Sequence, residues 1–249
     1  MTEARRAMTF NVRVGVDEGR EAWERRRDDV ASVIRVHRPD IVGLQEPLEG
    51  QLDDLRERLP AYEFVGDGRR GGREGEFSPI GYRPGRVEPA EWGTFWLSET
   101  GEEGSVGWDA TYPRIVTWAQ FKEGFLVCNT HFDHGGAAAR AESARLLRER
   151  APELAGDDPA VVMGDFNADE CSEPYELLTE TFRDAREVAD YDHHGPDDTF
   201  HDFTGYPDAK IDHIFVTGGV EVRTHAVLPD HWNGSYPSDH FPVLADLSF

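Results

Sequence analysis

The sequence is poor in cysteine and in lysine, and it has no long apolar run. Two cysteines among 249 residues are too few for a disulfide framework, and neither Cys128 nor Cys171 has a neighbouring cysteine that would suggest a zinc site. We expect both thiols to be reduced. Because no apolar run could span a membrane and no signal peptide is recognisable, we expect a soluble, cytoplasmic protein without a membrane partner.

Basic residues are also scarce relative to acidic ones. The chain has 49 Asp and Glu against 26 Lys and Arg, a formal net charge of -23, and its only lysines are Lys122 and Lys210. Concentrated salt screens such self-repulsion, and a hydrated carboxylate surface resists precipitation, so the composition predicts a halophilic source. Non-specific binding of nucleic acid depends on Lys and Arg contacts to phosphates. The charge therefore disfavours a protein that binds long duplexes.

No linker or repeat divides the chain, so we expect one domain over residues 1–249, with surface loops at 66–75 and 98–107. Helices alternate with strands early in the chain, and strands dominate later. This order indicates an α+β fold: a four-layer α/β sandwich in which two packed mixed β-sheets are flanked by helices. Helices are predicted at 21–37, 52–59, 137–154 and 174–178. Strands are predicted at 8–14, 41–45, 62–65, 79–83, 92–97, 115–121, 125–130, 161–163, 211–217, 221–228 and 243–247.

The most informative run is VVMGDFN, at residues 161–167. An apolar stretch that stops at Gly164 and continues with Asp165 and Asn167 is typical of a buried strand whose end carries functional groups, since ligands of open α/β sheets bind beyond strand ends. Taken alone, the run favours an ordinary Asp/Asn turn. The pattern recurs, however, which scattered surface charge would not produce. The similar segments are IVGLQE at 41–46, FLVCNTHFDH at 125–134, KIDHIFV at 210–216 and YPSDHFPV at 236–243.

Carboxylates, carboxamides and a few histidines, without cysteine, suit a hard, oxygen-ligated cation such as Mg²⁺ or Mn²⁺. A hard cation that keeps part of its water usually meets phosphate. Each residue alone also has a structural interpretation: Asn11 could end a strand, Glu46 could cap the following turn, and Asp212 could pair with His213 at a sheet edge. The candidate residues are Asn11, Glu46, Glu76, His131, Asp165, Asn167, Asp212, Asp239 and His240.

Most of the candidates lie in short motifs that follow one another along almost the whole chain. The motifs are TFN around Asn11, LQE ending at Glu46, NTH ending at His131, GDFN at 164–167, IDHIF at Asp212 and SDHFP at Asp239 and His240. This series resembles the endonuclease/exonuclease/phosphatase superfamily, which includes DNase I-like nucleases, abasic-site endonucleases, deadenylases, sphingomyelinases and inositol polyphosphate phosphatases. The resemblance is specific for the superfamily and weak for the substrate. It implies hydrolysis of phosphate esters with Mg²⁺ or Mn²⁺ as cofactor.

The resemblance also implies a role for each matching residue. Glu46 would hold the metal against a phosphate oxygen, with Asn11 as a further ligand or substrate contact, and Asp239 would lie close to the metal or its waters. Asp165 would orient or deprotonate the attacking water, while Asn167 donates a hydrogen bond to the phosphate as charge develops on it.

Two histidines complete the implied site. His240 would lie against the phosphate, fixed by Asp212 in a carboxylate–imidazole pair, and His131 would contact the phosphate from its other side. Glu76, in the stretch EFSPIGYRP, resembles a family glutamate that pairs with this histidine, and it would help His131 donate a proton to the leaving group. A solvated loop carboxylate is the alternative for Glu76. Arg114 is a predicted contact to the substrate phosphate.

Three functions remain open. The first is a metal-dependent phosphodiesterase or nuclease acting on single-stranded or short nucleic acid. The second is a phosphatase or phosphodiesterase of small phosphorylated metabolites or nucleotides. The third is a non-catalytic protein that binds a metal or a partner, although the full set of acid, amide and histidine positions argues against it, and no obligate protein partner is evident. In the first reading, bases would stack on exposed tryptophans, unless these belong to the core. The tryptophans concerned are Trp92, Trp96, Trp108 and Trp118.

Overall fold

The computed structural model describes residues 4–249, which form four helices and twelve strands. The helices are α1 (Trp23–His37), α2 (Glu49–Arg58), α3 (Ala137–Ala155) and α4 (Glu173–Thr179). The strands are β1 (Arg5–Asn11), β2 (Ile41–Gln45), β3 (Glu63–Val65), β4 (Ile80–Tyr82), β5 (Pro89–Trp96), β6 (Ile115–Phe121), β7 (Phe125–His131), β8 (Ala160–Asp165), β9 (Arg183–Asp184), β10 (Asp212–Val216), β11 (Glu221–Val227) and β12 (Val243–Ser248).

The strands form two six-stranded mixed sheets. Their orders are β11-β12-β1-β2-β4-β3 and β5-β6-β7-β8-β10-β9. Each sheet has one parallel pair at its centre, β1 with β2 and β7 with β8, and its other pairs are antiparallel. Helices α1 and α3 supply the crossovers that these parallel pairs require. The predicted pair of mixed sheets flanked by helices is confirmed.

Three apolar clusters hold the layers together. The first lies between the sheets and includes Met163 and Val243. The second joins α3 to the outer face of the second sheet through residues such as Leu147, and the third joins α1 and α2 to the outer face of the first sheet through residues such as Ile34. The layers therefore run helices, sheet, sheet, helices. Within residues 4–249, no helix is both long and apolar enough to cross a membrane.

The predicted elements are present; the structure adds the two-residue strand β9, which was not predicted, and the other differences lie at the ends of elements. Strand β1 stops at Asn11 rather than at 14, because the Asn11 side chain accepts the Arg13 N–H (3.0 Å) and Arg13 adopts a φ of 59°. Strand β8 continues through Gly164 to Asp165, since both pair with β7 and β10. Only glycine fits at position 164, where φ is 154° and a Cβ would collide with the Thr130 carbonyl.

Asn129 on β7 links the two sheets in the interior. Its amide nitrogen donates to the carbonyls of Leu44 (2.8 Å) and Pro79 (2.9 Å), and its oxygen accepts from Gln45 Nε2 (2.7 Å). Gly43 makes room for this contact, because a Cβ there would lie 2.5 Å from the Asn129 oxygen. The NTH motif therefore contains a structural residue as well as His131.

Replacing Asn129 with leucine is expected to lower the free energy of unfolding by at least about 3 kcal/mol. The substitution removes three buried hydrogen bonds. The Pro79 carbonyl keeps the Leu44 N–H (3.1 Å) and Gln45 Nε2 keeps the Thr9 hydroxyl (3.0 Å), but each lost bond still costs roughly 1 kcal/mol. Urea denaturation would measure the loss. Gln120→Leu, on the neighbouring strand β6 with its amide bonded to Asp158 at the surface, is the matched control and should change stability by less than about 1 kcal/mol. Equal stability of the two variants would contradict the structural role of Asn129.

Candidate active site

The carboxyl ends of the two parallel strand pairs meet at one end of the sandwich and open into a cleft of about 560 Å³. Strands β1 and β7 end at Asn11 and His131, β2 leads into Glu46, and β8 ends at Asp165. His240, shortly before β12, reaches the same cleft. Ligands of α/β sheets bind beyond carboxyl ends such as these. The separate sequence motifs therefore converge on one site.

Asp165 lies at the centre of this group. Its Oδ2 accepts the Asn11 amide at 2.9 Å and lies 3.5 Å from His131 Nε2 and 3.8 Å from His240 Nε2. Its Oδ1 accepts the backbone N–H of Asn167 at 2.9 Å. Both oxygens are thus held in fixed directions at the bottom of the cleft.

His240 is paired with Asp212, as the sequence predicted. The distance from His240 Nδ1 to Asp212 Oδ2 is 2.8 Å, and the same carboxylate oxygen accepts the Thr199 hydroxyl at 2.6 Å. Burial alone would lower the pKa of His240, but the negative charges of Asp212 and Asp165 outweigh it and raise that pKa to about 10. His240 is therefore an imidazolium at neutral pH. With Nδ1 bonded to Asp212, its Nε2–H is directed towards Asp165.

The pKa of Asp165 is shifted in the direction expected of a base. Burial raises this pKa to about 7, the negative charge of Asp212 adds to the rise, and the positive charge of His240 opposes it. A carboxylate with a pKa near neutrality accepts a proton from water more readily than an ordinary aspartate does. The buried pair of Asp165 and His240 thus combines a base and a cation at one place.

His131 lines the cleft but is neutral. Burial lowers the pKa of His131 well below its usual value, and the positive charges of Arg114 and His240 lower it further. A neutral imidazole has an N–H for hydrogen bonding but is a weak acid. The expected proton transfer from His131 to a leaving group is therefore disfavoured, whereas a hydrogen bond from its ring is not.

Glu46 and Asp239 bring two carboxylates to the same side of the cleft. Glu46 adopts a φ of 73°, a left-handed conformation, and its oxygens accept from Asn11 Nδ2 (3.0 Å) and Val14 N (2.7 Å). Asp239 lies 3.5 Å from Arg13 Nη1. Burial raises the pKa of Asp239, and the negative charge of Glu46 raises it further. The negative charge of Glu46 thus acts on a carboxylate that is almost completely buried.

Asn11 and Asp212 lie behind the cleft surface rather than on it. Asn11 is fully buried, and its amide nitrogen is used by both Glu46 and Asp165. Asn11 is therefore not placed for direct contact with a ligand in the cleft, and its amide contacts Glu46 and Asp165 instead. Asn167 does line the cleft. Its φ is 47°, and one amide N–H is bonded to the Phe132 carbonyl at 3.0 Å.

Glu76 lines the cleft near His131, but its partner is Arg69. The guanidinium of Arg69 makes two contacts with the carboxylate, Nη1 to Oε2 at 2.8 Å and Nη2 to Oε1 at 2.7 Å. The predicted Glu76–His131 pair is thus replaced by a Glu76–Arg69 ion pair. Arg114 also lines the cleft, and its Nε lies 3.2 Å from Asp133 Oδ2. Its charge is therefore already matched by a carboxylate.

Several cleft residues had not been predicted from the sequence, and all of them lie outside the helices and strands of the structure. Arg69 lies in the Gly/Arg-rich segment interpreted as a surface loop. The predicted base-stacking tryptophans, in contrast, are absent from the cleft lining of the described residues. Trp96 is buried, with its indole N–H bonded to the Arg69 carbonyl. The unpredicted lining residues include Arg13, Arg69, Tyr112, His134 and Phe200.

Three groups in the site also satisfy the spacing expected of metal ligands. One ligand atom each from Asp165, Asp212 and His240 lies within 4.8 Å of the others. The triad is therefore one candidate metal site, and the carboxylates of Glu46 and Asp239, which line the same cleft, offer further oxygen ligands.

Comparison with known proteins identifies the family. The model of the Endonuclease/Exonuclease/phosphatase family matches residues 8–240. Enzymes of this family hydrolyse phosphate esters and typically use a divalent metal ion. The structure of D. rerio TDP2 complexed with a single-strand DNA product is 19% identical, covers 99% of each chain and has a TM-score of 0.78, which shows the fold alone.

Two bacterial structures are more similar to this chain. The endonuclease/exonuclease/phosphatase from Bacteroides vulgatus is 41% identical, with a TM-score of 0.93 and coverage of 99% of both chains. A Bacteroides thetaiotaomicron protein described as a mannosyl-6-phosphatase is 36% identical, with a TM-score of 0.93 and coverage of 98% of this chain and 100% of that one. The converging motifs, the two mixed sheets and these similarities show that the chain belongs to the endonuclease/exonuclease/phosphatase family.

Proposed function

We propose that the chain is a divalent-metal-dependent phosphatase that hydrolyses monoesters of small phosphorylated metabolites. The observation that carries the proposal is the set of groups in the cleft: the Asp165 carboxylate of raised pKa, the His240 imidazolium, and the oxygens of Glu46 and Asp239. Hydrolysis of phosphate esters depends mainly on positioning and on neutralising charge. These groups are suited to both tasks.

Glu46 and Asp239 fit a hard cation, because they offer oxygen ligands and because burial and the negative charge of Glu46 keep the pKa of Asp239 raised despite the nearby cations. We assign the metal, Mg²⁺ or Mn²⁺, to this pair rather than to the triad, since a hard cation prefers carboxylate oxygens to an imidazole nitrogen and His240 is already bonded to Asp212. Bound there, the cation would supply positive charge against a phosphate oxygen and the leaving oxygen. Asn11 would orient Glu46 through its amide hydrogen bond.

Asp165 would accept a proton from the attacking water. The hydrogen bonds from the Asn11 amide and the Asn167 backbone hold its two oxygens in place, so little reorganisation accompanies the reaction. Its raised pKa makes it a better base than an exposed aspartate. Asp165 therefore serves as the general base of the proposed mechanism.

His240 and Asn167 would stabilise the charge that develops on the phosphate. His240 is held by Asp212 and directs a charged Nε2–H into the site. Asn167 keeps a second amide N–H besides the one bonded to Phe132. His131, as a neutral ring, would add a hydrogen bond on the other side. Fixed donors of this kind act without the reorganisation that water requires.

The charges in the cleft support a small substrate with one phosphate. Each arginine that lines the cleft is already paired: Arg13 with Asp17, Arg69 with Glu76, and Arg114 with Asp133. A polynucleotide backbone brings further phosphates, which need unpaired cations. The net charge of -23 and the lack of tryptophan in the cleft point the same way. These observations shift our preference from the phosphodiesterase or nuclease expected from sequence to the phosphatase.

The comparisons support the same choice. The protein described as a mannosyl-6-phosphatase is 36% identical along almost the whole chain, whereas the structure with a DNA product is 19% identical. A phosphosugar is therefore the first substrate class to test.

The test is a panel of esters offered to the purified protein with Mg²⁺ or Mn²⁺ and, as a control, with chelator. The panel contains hexose 6-phosphates, a nucleoside monophosphate, an aryl phosphodiester and single-stranded DNA and RNA. We expect metal-dependent turnover of the monoesters, with hexose phosphates preferred by at least about tenfold in kcat/KM over the diester.

Two outcomes would contradict the proposal. Faster hydrolysis of the diester or of single-stranded nucleic acid than of the monoesters would favour the phosphodiesterase or nuclease function instead. If no member of the panel showed metal-dependent turnover, the result would favour the third alternative, a non-catalytic protein that binds a metal or a partner.

A further inference from the structure

The part of the cleft beyond Asp165 and His131 has a composition of its own. We call it the outer subsite and define it by Arg69, Glu76, Tyr112, Arg114 and His134. The mechanism above uses none of these side chains. The substrate, however, extends beyond its phosphate, and the outer subsite lines the same cleft as the catalytic groups. It is therefore the surface available to the alcohol part of the ester.

Glu76 is held rigidly by a short hairpin. Arg69 N–H donates to the Glu76 carbonyl at 2.9 Å, and the two side chains meet through two contacts of 2.8 and 2.7 Å. Trp96 fixes the base of the hairpin by donating its indole N–H to the Arg69 carbonyl. Each carboxylate oxygen accepts one bond from Arg69 and has a further lone pair for another donor. Glu76 is thus a preorganised acceptor for hydroxyl groups.

Tyr112 adds an apolar surface beside this acceptor. The Arg69 guanidinium lies 4.5 Å from the centre of its ring, a cation–π contact that holds the ring in place, and the side chain remains 40% exposed. The His134 ring lies 6.3 Å away and is bonded to Arg114 through its Nδ1 at 3.2 Å. An aromatic ring next to fixed polar groups suits a ligand with one apolar face and several polar edges.

The outer subsite has no excess positive charge, because each of its two arginines is paired with a carboxylate. Arg69 is paired with Glu76, and Arg114 with Asp133. A second phosphate would have to displace one of these carboxylates and leave it unpaired. The subsite therefore favours a neutral group.

We propose that the outer subsite determines specificity by binding the sugar of a phosphosugar, with Glu76 accepting hydrogen bonds from its hydroxyls and Tyr112 packing against its apolar face. Arg69 is a positioning residue, since it holds both Glu76 and Tyr112. The inference rests on the proposed phosphatase function and names the substrate class of that site.

The experiment compares two monoesters of primary alcohols, hexose 6-phosphate and ethyl phosphate, which differ in the hydroxyl-bearing ring. We expect the wild type to prefer the hexose ester in kcat/KM by at least about a hundredfold. Tyr112→Ala and Glu76→Gln should each lower this specificity ratio by about tenfold, mainly through KM, since each removes roughly one good contact. Tyr112→Phe keeps the ring and should keep the ratio.

Matched controls lie outside the cleft. Tyr191→Ala removes another exposed tyrosine, and Glu74→Gln changes another glutamate of the same hairpin; neither should alter the ratio. An unchanged ratio in Tyr112→Ala and Glu76→Gln, or a wild-type ratio near one, would overturn the proposal.

A separate result would contradict the phosphatase function itself, namely no metal-dependent turnover of either ester. In that case, calorimetric titration with hexose 6-phosphate tests whether the outer subsite binds the sugar. Binding that is weakened at least about tenfold by Tyr112→Ala but not by Tyr191→Ala would support the subsite. Equal binding by all three proteins, or no binding to the wild type, would overturn it.

Discussion

Replacing His240 with glutamine is expected to lower kcat for a phosphomonoester by at least about a thousandfold. The variant loses a charged donor that is buried, held by Asp212 and directed into the cleft, and fixed donors of this kind typically contribute 100- to 1,000-fold in mutagenesis. The variant also removes the positive charge that opposes the rise in the pKa of Asp165, so the base is protonated over a wider range. The two losses act in the same direction.

Steady-state kinetics at saturating metal would measure the effect of His240→Gln. His231→Gln is the matched control, since His231 is exposed and does not line the cleft. The control should retain the wild-type kcat within about twofold. Loss of less than about tenfold in His240→Gln, with a folded protein, would contradict the assigned role.

The pH profile of Asp212→Asn gives a readout that a merely structural role would not change. The negative charge of Asp212 raises the pKa of His240 to about 10 and contributes to the pKa of about 7 at Asp165. Removing this charge lowers both values. Protonated His240 is then lost at a lower pH, and ionised Asp165 forms at a lower pH. Both limbs of the kcat profile should therefore move towards acid, whereas simple loss of structure would lower the profile without shifting it.

The sequence predicted the strands and the polar side chains at their ends because these features are local. Runs such as VVMGDFN show a buried strand and its polar end within seven residues. Asp165 and His131 come together because β7 and β8 are neighbouring parallel strands, a relation that alternation with a helix favours. The Asp212–His240 pair was implied by the family resemblance. In the structure His240 Nδ1 lies 2.8 Å from Asp212 Oδ2.

The outer subsite depends on contacts that no local pattern records. Arg69 and Glu76 meet across a hairpin in a glycine- and arginine-rich segment, and Tyr112 reaches Arg69 from a loop more than forty residues later. A Gly/Arg-rich run has no periodicity from which a buried ion pair could be inferred. Glu76 lines the cleft, but its partner is Arg69 rather than the His131 that the resemblance implied.

Asn129 illustrates a second limit. It belongs to a quoted motif, yet its partners lie on β2 and beside β4 in the other sheet, so its role depends on how the sheets pack. Gly43 leaves the space that the Asn129 side chain fills. From sequence alone, a glycine within an apolar strand indicates that another group packs closely against the backbone, but it does not identify that group.

Glu46→Gln is expected to weaken binding of Mn²⁺ or Mg²⁺ by at least about a hundredfold and to lower the rate at a fixed metal concentration accordingly. The side chain keeps its size, but it loses the negative charge that a hard cation prefers and one of the two oxygens that accept from Asn11 and Val14. Calorimetric titration of the metal-free protein with Mn²⁺ would measure the affinity. Glu49→Gln, in the first turn of α2 and paired with Arg56, is the matched control and should bind the metal like the wild type.

Thermal unfolding separates this effect from damage to the fold. In the metal-free wild type, the charges of Glu46 and Asp239 repel each other, because Glu46 raises the pKa of the buried Asp239. Removing one charge relieves this repulsion and offsets the hydrogen bond that the amide cannot accept, so the Tm of the metal-free variant should stay close to that of the wild type. Added Mn²⁺ should raise the Tm of the wild type, since a ligand that binds only the folded state stabilises it, but it should hardly change the Tm of the variant. If Mn²⁺ raised the Tm of both proteins equally, the assignment of the metal to Glu46 would be contradicted. The triad of Asp165, Asp212 and His240 would then be the better candidate for the metal site.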